Sequence, residues 1–364
     1  MKIGMVSKFD AADGLCVRAN EVLQGLADRG HEIHVFTQSQ EVAGIPKENI
    51  HRFRALQLNP HFSLDSFNAI KLIAEVCQRH DIEVLHVQMN SGSTEFLIPY
   101  FDDALPPRVV TFHLAYASGS STYTTLFEIA WKASIFAARK YDQIILVDPS
   151  QKPYFTRLGV PDEQLSVITN GVNINLFKPG KLKENNKLDF VYVGRLSYDK
   201  GVHILLKAFQ KYHQENPDSR LTLIGDGMVK HQIRKYNENE SIRWLGVVNH
   251  HHLPQILSAM DVFVIPQNIG GLGLSVMEAM SCGLPVITTA IGETAKLLGP
   301  EEGILVEPHS MHGVLDAMRR IGMDSALRAD MAKRCRRKIE HLYSWKQQLG
   351  ILEETYQKAI RSKN

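Results

Sequence analysis

The chain has 364 residues, 44% of them hydrophobic and 22% charged, with a formal net charge of +2. That is the composition of a soluble globular protein long enough for two domains with separate cores, and the small charge excludes bulk nucleic-acid binding. No run approaches the roughly eighteen apolar residues of a transmembrane helix, and the four cysteines (Cys16, Cys77, Cys282, Cys335) form no C-x-x-C pair, so neither a zinc site nor a disulfide framework is expected.

The first residues, "KIGMVS", read as a strand, and they lack the long apolar core of a signal peptide. With the cysteine pattern this makes a cytoplasmic location the expectation. "CVRANEVLQGLADRG" is an amphipathic helix closed by Gly30. There follow "HEIHVFT", a helix around Phe67 to His80, "VLHVQ", "RVVTFH", a helix from about Thr124 to Lys140, and "QIILVD". Strands separated by helices of this length build a parallel sheet with helices on both faces.

The pattern then restarts after the polar, Lys-rich segment "TNGVNINLFKPGKLKENNK". "DFVYVGR", "SRLTLIGDG", "IRWLGVV", "DVFVIP", "PVITT" and "GILVEP" read as strands. "GVHILLKAFQKYHQ", "MVKHQIRKYNE", "LPQILSAM" and "SVMEAMSCG" read as helices. The tail from about Asp324 is helical, with Trp345 and Tyr356 as apolar anchors. The expected organisation is an α/β chain of two Rossmann-like domains, residues 1–170 and 171–345, with a last helix, 346–364, packing back on the first domain. Neither half carries G-x-G-x-x-G after its first strand, which argues against a dinucleotide cofactor.

Ligands of doubly wound domains sit at the carboxyl ends of the strands, so the loops there carry the functional reading. Asp13-Gly14 precedes the first helix, where glycine admits a ligand close to the backbone; a plain turn explains it equally well. "VGRLSYDKG" sets Arg195 and Lys200 five apart after a strand, a fork and a point charge suited to a diphosphate, or simply a solvated basic loop. In "NIGGLGLSVMEAMSCGLPVITT", amides from Gly271 to Ser275 at a helix start suit a phosphate. Glu278, within that helix, suits ribose hydroxyls, or complements the helix dipole. The triplet His250 to His252 reads as an exposed turn rather than a metal site, and "KRCRRK" as a solvated helix face.

Taken in order, "TNGVN…F", "GRLSYDKG", "LIGDG", "WLGVV", "DVFVIP" and "GLGLSVMEAMSCGLPVI" resemble the C-terminal domain of the retaining GT-B glycosyltransferases of family 4. "DGLCVRANEVLQGLADRGHEIHVFT" and "VVTFH" resemble the family's N-terminal segments, so the resemblance covers nearly the whole chain. It implies a GT-B fold, two Rossmann-like domains facing each other across a cleft. A nucleoside diphosphate sugar would lie mostly against the second of them.

The resemblance implies roles residue by residue. Arg195 and Lys200 would hold the diphosphate, and the amides of Gly271, Leu274 and Ser275 would support it. Glu278 would take the ribose, Val247 would lie by the base, and Asn170 would belong to the donor side. Gly14 would leave room for the phosphates, and His113 would face the donor sugar. His113, Arg195 and Lys200 form the implied catalytic set, with no metal and no cofactor. The acceptor would be a saccharide or a lipid-linked saccharide bound by the N-terminal domain, which would also carry any peripheral membrane contact at the inner face of the membrane.

The sequence departs from the family mildly at Glu293 in "AIGETAK", where the family tends to write GG-x-x-E, and more sharply at its glutamate pair. The family writes two glutamates separated by seven residues, and here the first falls on Gly270 while Glu278 keeps the second. Three explanations stand: a neighbour such as Asn268, Glu293 or Asn170 takes over, the donor lacks the hydroxyl read there, or the chain binds donors and turns them over weakly. A non-catalytic sugar-nucleotide binder and a sugar-nucleotide epimerase therefore stay beside the glycosyltransferase reading. No carboxylate pair at glycosidase spacing is evident, so same-face departure and attack is the expected path to retention.

Overall fold

The computed structural model describes residues 1–9, 14–57, 63–66, 68–89, 92–101, 105–113, 132–180, 188–236, 241–268 and 273–363. Gly270 and Gly271 lie outside these residues, as does most of the segment expected to be helical before Lys140, of which 132–138 is described as helix.

The chain divides into two compact units, residues 1–170 with 345–364, and residues 171–344. In the first, a seven-stranded sheet runs β3-β2-β1-β6-β7-β8-β9. Its strands are β1 (Lys2–Val6), β2 (Glu32–Thr37), β3 (Ile50–Arg52), β6 (Val84–Met89), β7 (Arg108–Phe112), β8 (Gln143–Leu146) and β9 (Leu165–Val167), and all pairs are parallel. A separate antiparallel pair is formed by β4 (Ala55–Gln57) and β5 (Ser63–Asp65). Near-continuous apolar runs such as VLHVQM are what a strand covered on both faces requires, and every residue of β6 is buried.

The second unit has six parallel strands in the order β12-β11-β10-β13-β14-β15. They are β10 (Asp189–Val193), β11 (Arg220–Ile224), β12 (Ile242–Trp244), β13 (Val262–Ile265), β14 (Val286–Thr289) and β15 (Gly303–Val306). The strand order reverses between β10 and β13, and the loops leaving those two strands flank the reversal. The helix Val202–Glu215 buries Val202, Leu205, Leu206, Phe209 and Tyr212, a 3.6-residue stripe against the sheet.

Two local expectations change. "MVKHQIRKYNE" is a 3-10 turn, Lys230–Gln232, followed by a short helix, Ile233–Tyr236. The C-terminal tail runs as helix Ser325–Lys338, a π-turn, Ile339–Tyr343, and a last helix, Trp345–Lys363, which starts where the chain re-enters the first unit. "KRCRRK" is not simply solvated. The Arg336 guanidinium donates to the carbonyls of Ile174, Phe177 and Ser281, tying the start of the second unit to the end of helix Leu274–Ser281.

Candidate active site

In the second unit the strand ends are stitched together by backbone hydrogen bonds. Gly194 N–H donates to Ile224 O at 3.0 Å, Leu196 N–H to Asp226 O at 2.9 Å, and Gly225 N–H to Gly246 O at 2.7 Å. Gly225 has φ +128°, and a Cβ there would stand 2.0 Å from Gly194 O, so only glycine fits. Trp244 closes the same corner by donating Nε1–H to Gly225 O at 2.8 Å, and Val247 beyond it is 79% exposed. Open backbone with an exposed valine is a surface that a flat heterocycle can cover.

The loop after β10 carries Arg195 and Lys200. Tyr192 Oη donates to the Arg195 carbonyl at 2.6 Å, fixing the backbone, while the guanidinium reaches out, 68% exposed, and pairs with Asp199 at 3.0 Å. Burial opposes ionisation of Asp199, but hydrogen bonds from Ser197 and Arg195 outweigh it and hold the carboxyl below its ordinary range. Lys200 Nζ donates to Gln267 Oε1 at 3.2 Å across the strand reversal. Burial lowers its pKa against the opposing charge of Asp199, with Arg195 adding to the lowering. Gln267 is buried and donates Nε2–H to Thr294 Oγ1 at 3.2 Å. Asn268, the next residue, donates from its backbone to Asp199 O and from Nδ2 to Tyr198 O; among the described residues its buried Oδ1 has no partner.

The helix Leu274–Ser281 begins at Gly273, with Leu274 and Ser275 as its first residues, whose N–H groups no helical carbonyl can satisfy. Glu278 lies one turn further in and is buried, not at the surface as a dipole-complementing glutamate would be. Burial raises its pKa, opposed by a hydrogen bond and the charge of His250. His250 Nε2 stands 2.6 Å from Glu278 Oε1. The turn is exposed at His251 and His252, as expected, whereas His250 is half-buried: Asn249 caps the 3-10 turn His250–His252 by accepting from His251 N–H, and that turn aims His250 at the carboxylate. Periodicity could not find this pair, because it joins a loop and a helix 28 residues apart.

In the first unit, His113 follows β7 and donates Nε2–H to Gln88 Oε1 at 2.6 Å. Gln88 in turn lies 3.2 Å from His86, whose other ring nitrogen meets Tyr356 Oη at 2.6 Å. Burial, with the charges of Arg18 and His86, pushes the His113 pKa well below the ordinary value. The neutral ring therefore presents Nδ1 as an acceptor. Asn170 accepts from Arg18 Nη1 at 2.7 Å, and burial lowers the Arg18 pKa to about 10. Gly14 is the first residue of helix Gly14–Asp28, the helix that follows β1 in the chain. Among the described residues no helix is long and apolar enough to cross a membrane.

Two family models match in tandem: Glycosyltransferase Family 4 over residues 12–176 and Glycosyl transferases group 1 over residues 173–338. Glycogen synthase of Mycobacterium tuberculosis is 25% identical over 300 residues, covering 80% of this chain and 72% of its own. An Escherichia coli UDP-Gal:alpha-D-GlcNAc-diphosphoundecaprenol alpha-1,3-galactosyltransferase is 32% identical over 241 residues, 61% of this chain and 62% of its own. Sucrose-phosphate synthase from Thermosynechococcus elongatus shares the fold at a TM-score of 0.75 and 21% identity, over 99% of both chains. Anabaena HepE, solved with UDP, does so at 0.76 and 18%, over 98% of this chain and 99% of its own. A chain that carries both models in order, on two doubly wound units, belongs to the GT-B glycosyltransferases of family 4, enzymes that use nucleotide sugars.

Proposed function

We propose that the chain transfers a hexosyl group from a UDP-sugar to an acceptor hydroxyl, with retention and without a metal. The observation that carries this reading is the convergence of Lys200 and Gln267 at the strand reversal, with Arg195 in the same loop and buried Glu278 in the following helix. Arg195, Lys200 and the amides of Leu274 and Ser275 supply the positive charge that a departing diphosphate needs. Glu278 takes the ribose hydroxyls, and Val247 borders the base. UDP is chosen because HepE is solved with it and the Escherichia coli relative is named for UDP-Gal.

In the reaction, the bond between the anomeric carbon and the β-phosphate oxygen breaks as the acceptor oxygen bonds to the same face of that carbon. The acceptor proton passes to the departing phosphate oxygen. His113, neutral and fixed by Gln88, accepts a sugar hydroxyl through Nδ1. For the missing first glutamate, Asn170 is committed to Arg18, whereas Asn268 keeps an unpartnered Oδ1 beside Gln267 among the described residues. Asn268 is thus the substitute we assign.

A lipid-linked saccharide is the acceptor class this reading favours. Its support is the name of the Escherichia coli relative together with a surface of the first unit where Tyr100 and Phe136 are 62% and 63% exposed. Lys140 Nζ lies 5.4 Å from the Tyr100 ring and Arg139 5.1 Å from that of Phe136, an aromatic and cationic pairing suited to a headgroup layer. The test is product analysis of UDP-glucose, UDP-galactose and UDP-N-acetylglucosamine in EDTA, with and without polyprenyl-diphosphate-linked saccharide acceptors. Transfer with an α-linked product is the expected result. Epimerised sugar without transfer, or transfer only on adding a metal, would overturn it.

A further inference from the structure

His250 stands in the loop after β12, capped into position by Asn249, and its Nε2 lies 2.6 Å from Glu278 Oε1. Among the described residues this is the one hydrogen bond to the Glu278 side chain, which is almost fully buried. The imidazole rests on the buried ring of Phe177, centroids 5.3 Å apart. Phe177 is itself held in register with the helix of Glu278: its carbonyl accepts from Ser281 Oγ at 2.6 Å and from Arg336 Nη1 at 2.7 Å. Ring, platform and carboxylate thus form one connected assembly. A buried glutamate has three rotatable side-chain bonds, and a donor on one oxygen removes most of that freedom while leaving the other oxygen to a ligand.

We propose that His250 is a positioning residue for nucleotide recognition: it binds one oxygen of Glu278 so that the other is pre-aligned for the ribose hydroxyls. This rests on the reading of Glu278 as the ribose acceptor. His250 touches Glu278, not the ligand, so its effect depends on the hydroxyls being present.

The test is calorimetric binding of UDP and of 2′,3′-dideoxy-UDP to the full-length protein and to the His250→Ala, His250→Gln and Glu278→Ala variants, with thermal midpoints recorded for each. The expected result is that His250→Ala weakens UDP by about tenfold, the scale of a hydrogen bond to a charged group, and shifts the dideoxy analogue by less than about twofold. His250→Gln, which keeps an N–H donor, should recover most of the loss. Equal weakening of both nucleotides, or none of UDP, would overturn the inference while leaving the reading of Glu278 intact. If Glu278→Ala keeps the full preference for UDP over its dideoxy analogue, the ribose assignment fails first and this inference with it.

Discussion

Lys200 Nζ lies 3.2 Å from Gln267 Oε1, so a cation in the loop after β10 is held by an amide at the end of β13. These are the two strands between which the sheet order reverses, and the hydrogen bond spans that reversal. Lysine is a compact point charge on a flexible stem, and a fixed acceptor sets where that charge stands. Replacing Lys200 with Met should lower kcat/KM by about a hundredfold or more, the scale of a lost charge-stabilising donor. Steady-state kinetics with the preferred donor would read it, and an unchanged kcat/KM would remove Lys200 from the diphosphate site.

Because burial lowers the Lys200 pKa from the ordinary 10.5, the ammonium loses its proton earlier than a free lysine. Affinity for the diphosphate should therefore fall on an alkaline limb lying below 10.5, and Lys200→Arg should move that limb upward. A binding profile that is flat through this range in the native protein, or identical in the two proteins, would contradict the assignment.

Burial of the Glu278 carboxylate costs stability at neutral pH. Its folded pKa is raised above 4.5, first by burial and despite His250, so the folded state binds its proton more tightly than the unfolded chain does. The sign follows: the protonated form's stability is complete below 4.5 and is lost as pH rises through the raised folded value. Glu278→Gln keeps an acceptor for His250 without the buried charge. It should unfold at a higher temperature than native protein at neutral pH and at the same temperature near pH 3, about a unit and a half below the ordinary value. Scanning calorimetry at the two pH values checks this.

Gly201 caps the helix Val202–Glu215 at φ +70°, and a Cβ there would stand 1.8 Å from the Pro266 carbonyl oxygen. The clash is with backbone, which cannot swing aside. Gly201→Ala should cost about 3 kcal/mol or more in denaturant unfolding, and it should weaken nucleotide binding because Lys200 is its neighbour. A loss under about 1 kcal/mol would show that the loop after β10 yields easily.

Asn268 carries a narrower claim. With Gly270 at the first glutamate position and Oδ1 of Asn268 buried without a partner among the described residues, Asn268→Ala should slow turnover by about tenfold and leave UDP affinity within about twofold. Equal losses in both would place Asn268 in structural support of the loop instead.

Much of the fold was legible because its signals are local. Runs such as "VLHVQ" and "DFVYVGR" declare buried parallel strands, and the restart after the Lys-rich segment declares a second unit. The loops after β10 and β13 were legible as loops because glycines and charges cluster just after strands. What escaped depends on contacts between distant segments. His250 looked like solvent-exposed turn because its partner, Glu278, sits in a later helix. Arg336 looked solvated because its acceptors are carbonyls at Ile174, Phe177 and Ser281, which no side-chain pattern records.

Donor binding requires a nucleotide site in the second unit. The most direct measurement is the thermal midpoint of the purified protein with UDP, GDP and ADP in EDTA, beside the Arg195→Ala variant. One nucleotide, UDP by this account, should raise the midpoint by about 5 °C at roughly a hundredfold excess over its dissociation constant, and Arg195→Ala should abolish the shift. No shift with any of the three, or a shift that survives Arg195→Ala unchanged, would contradict it.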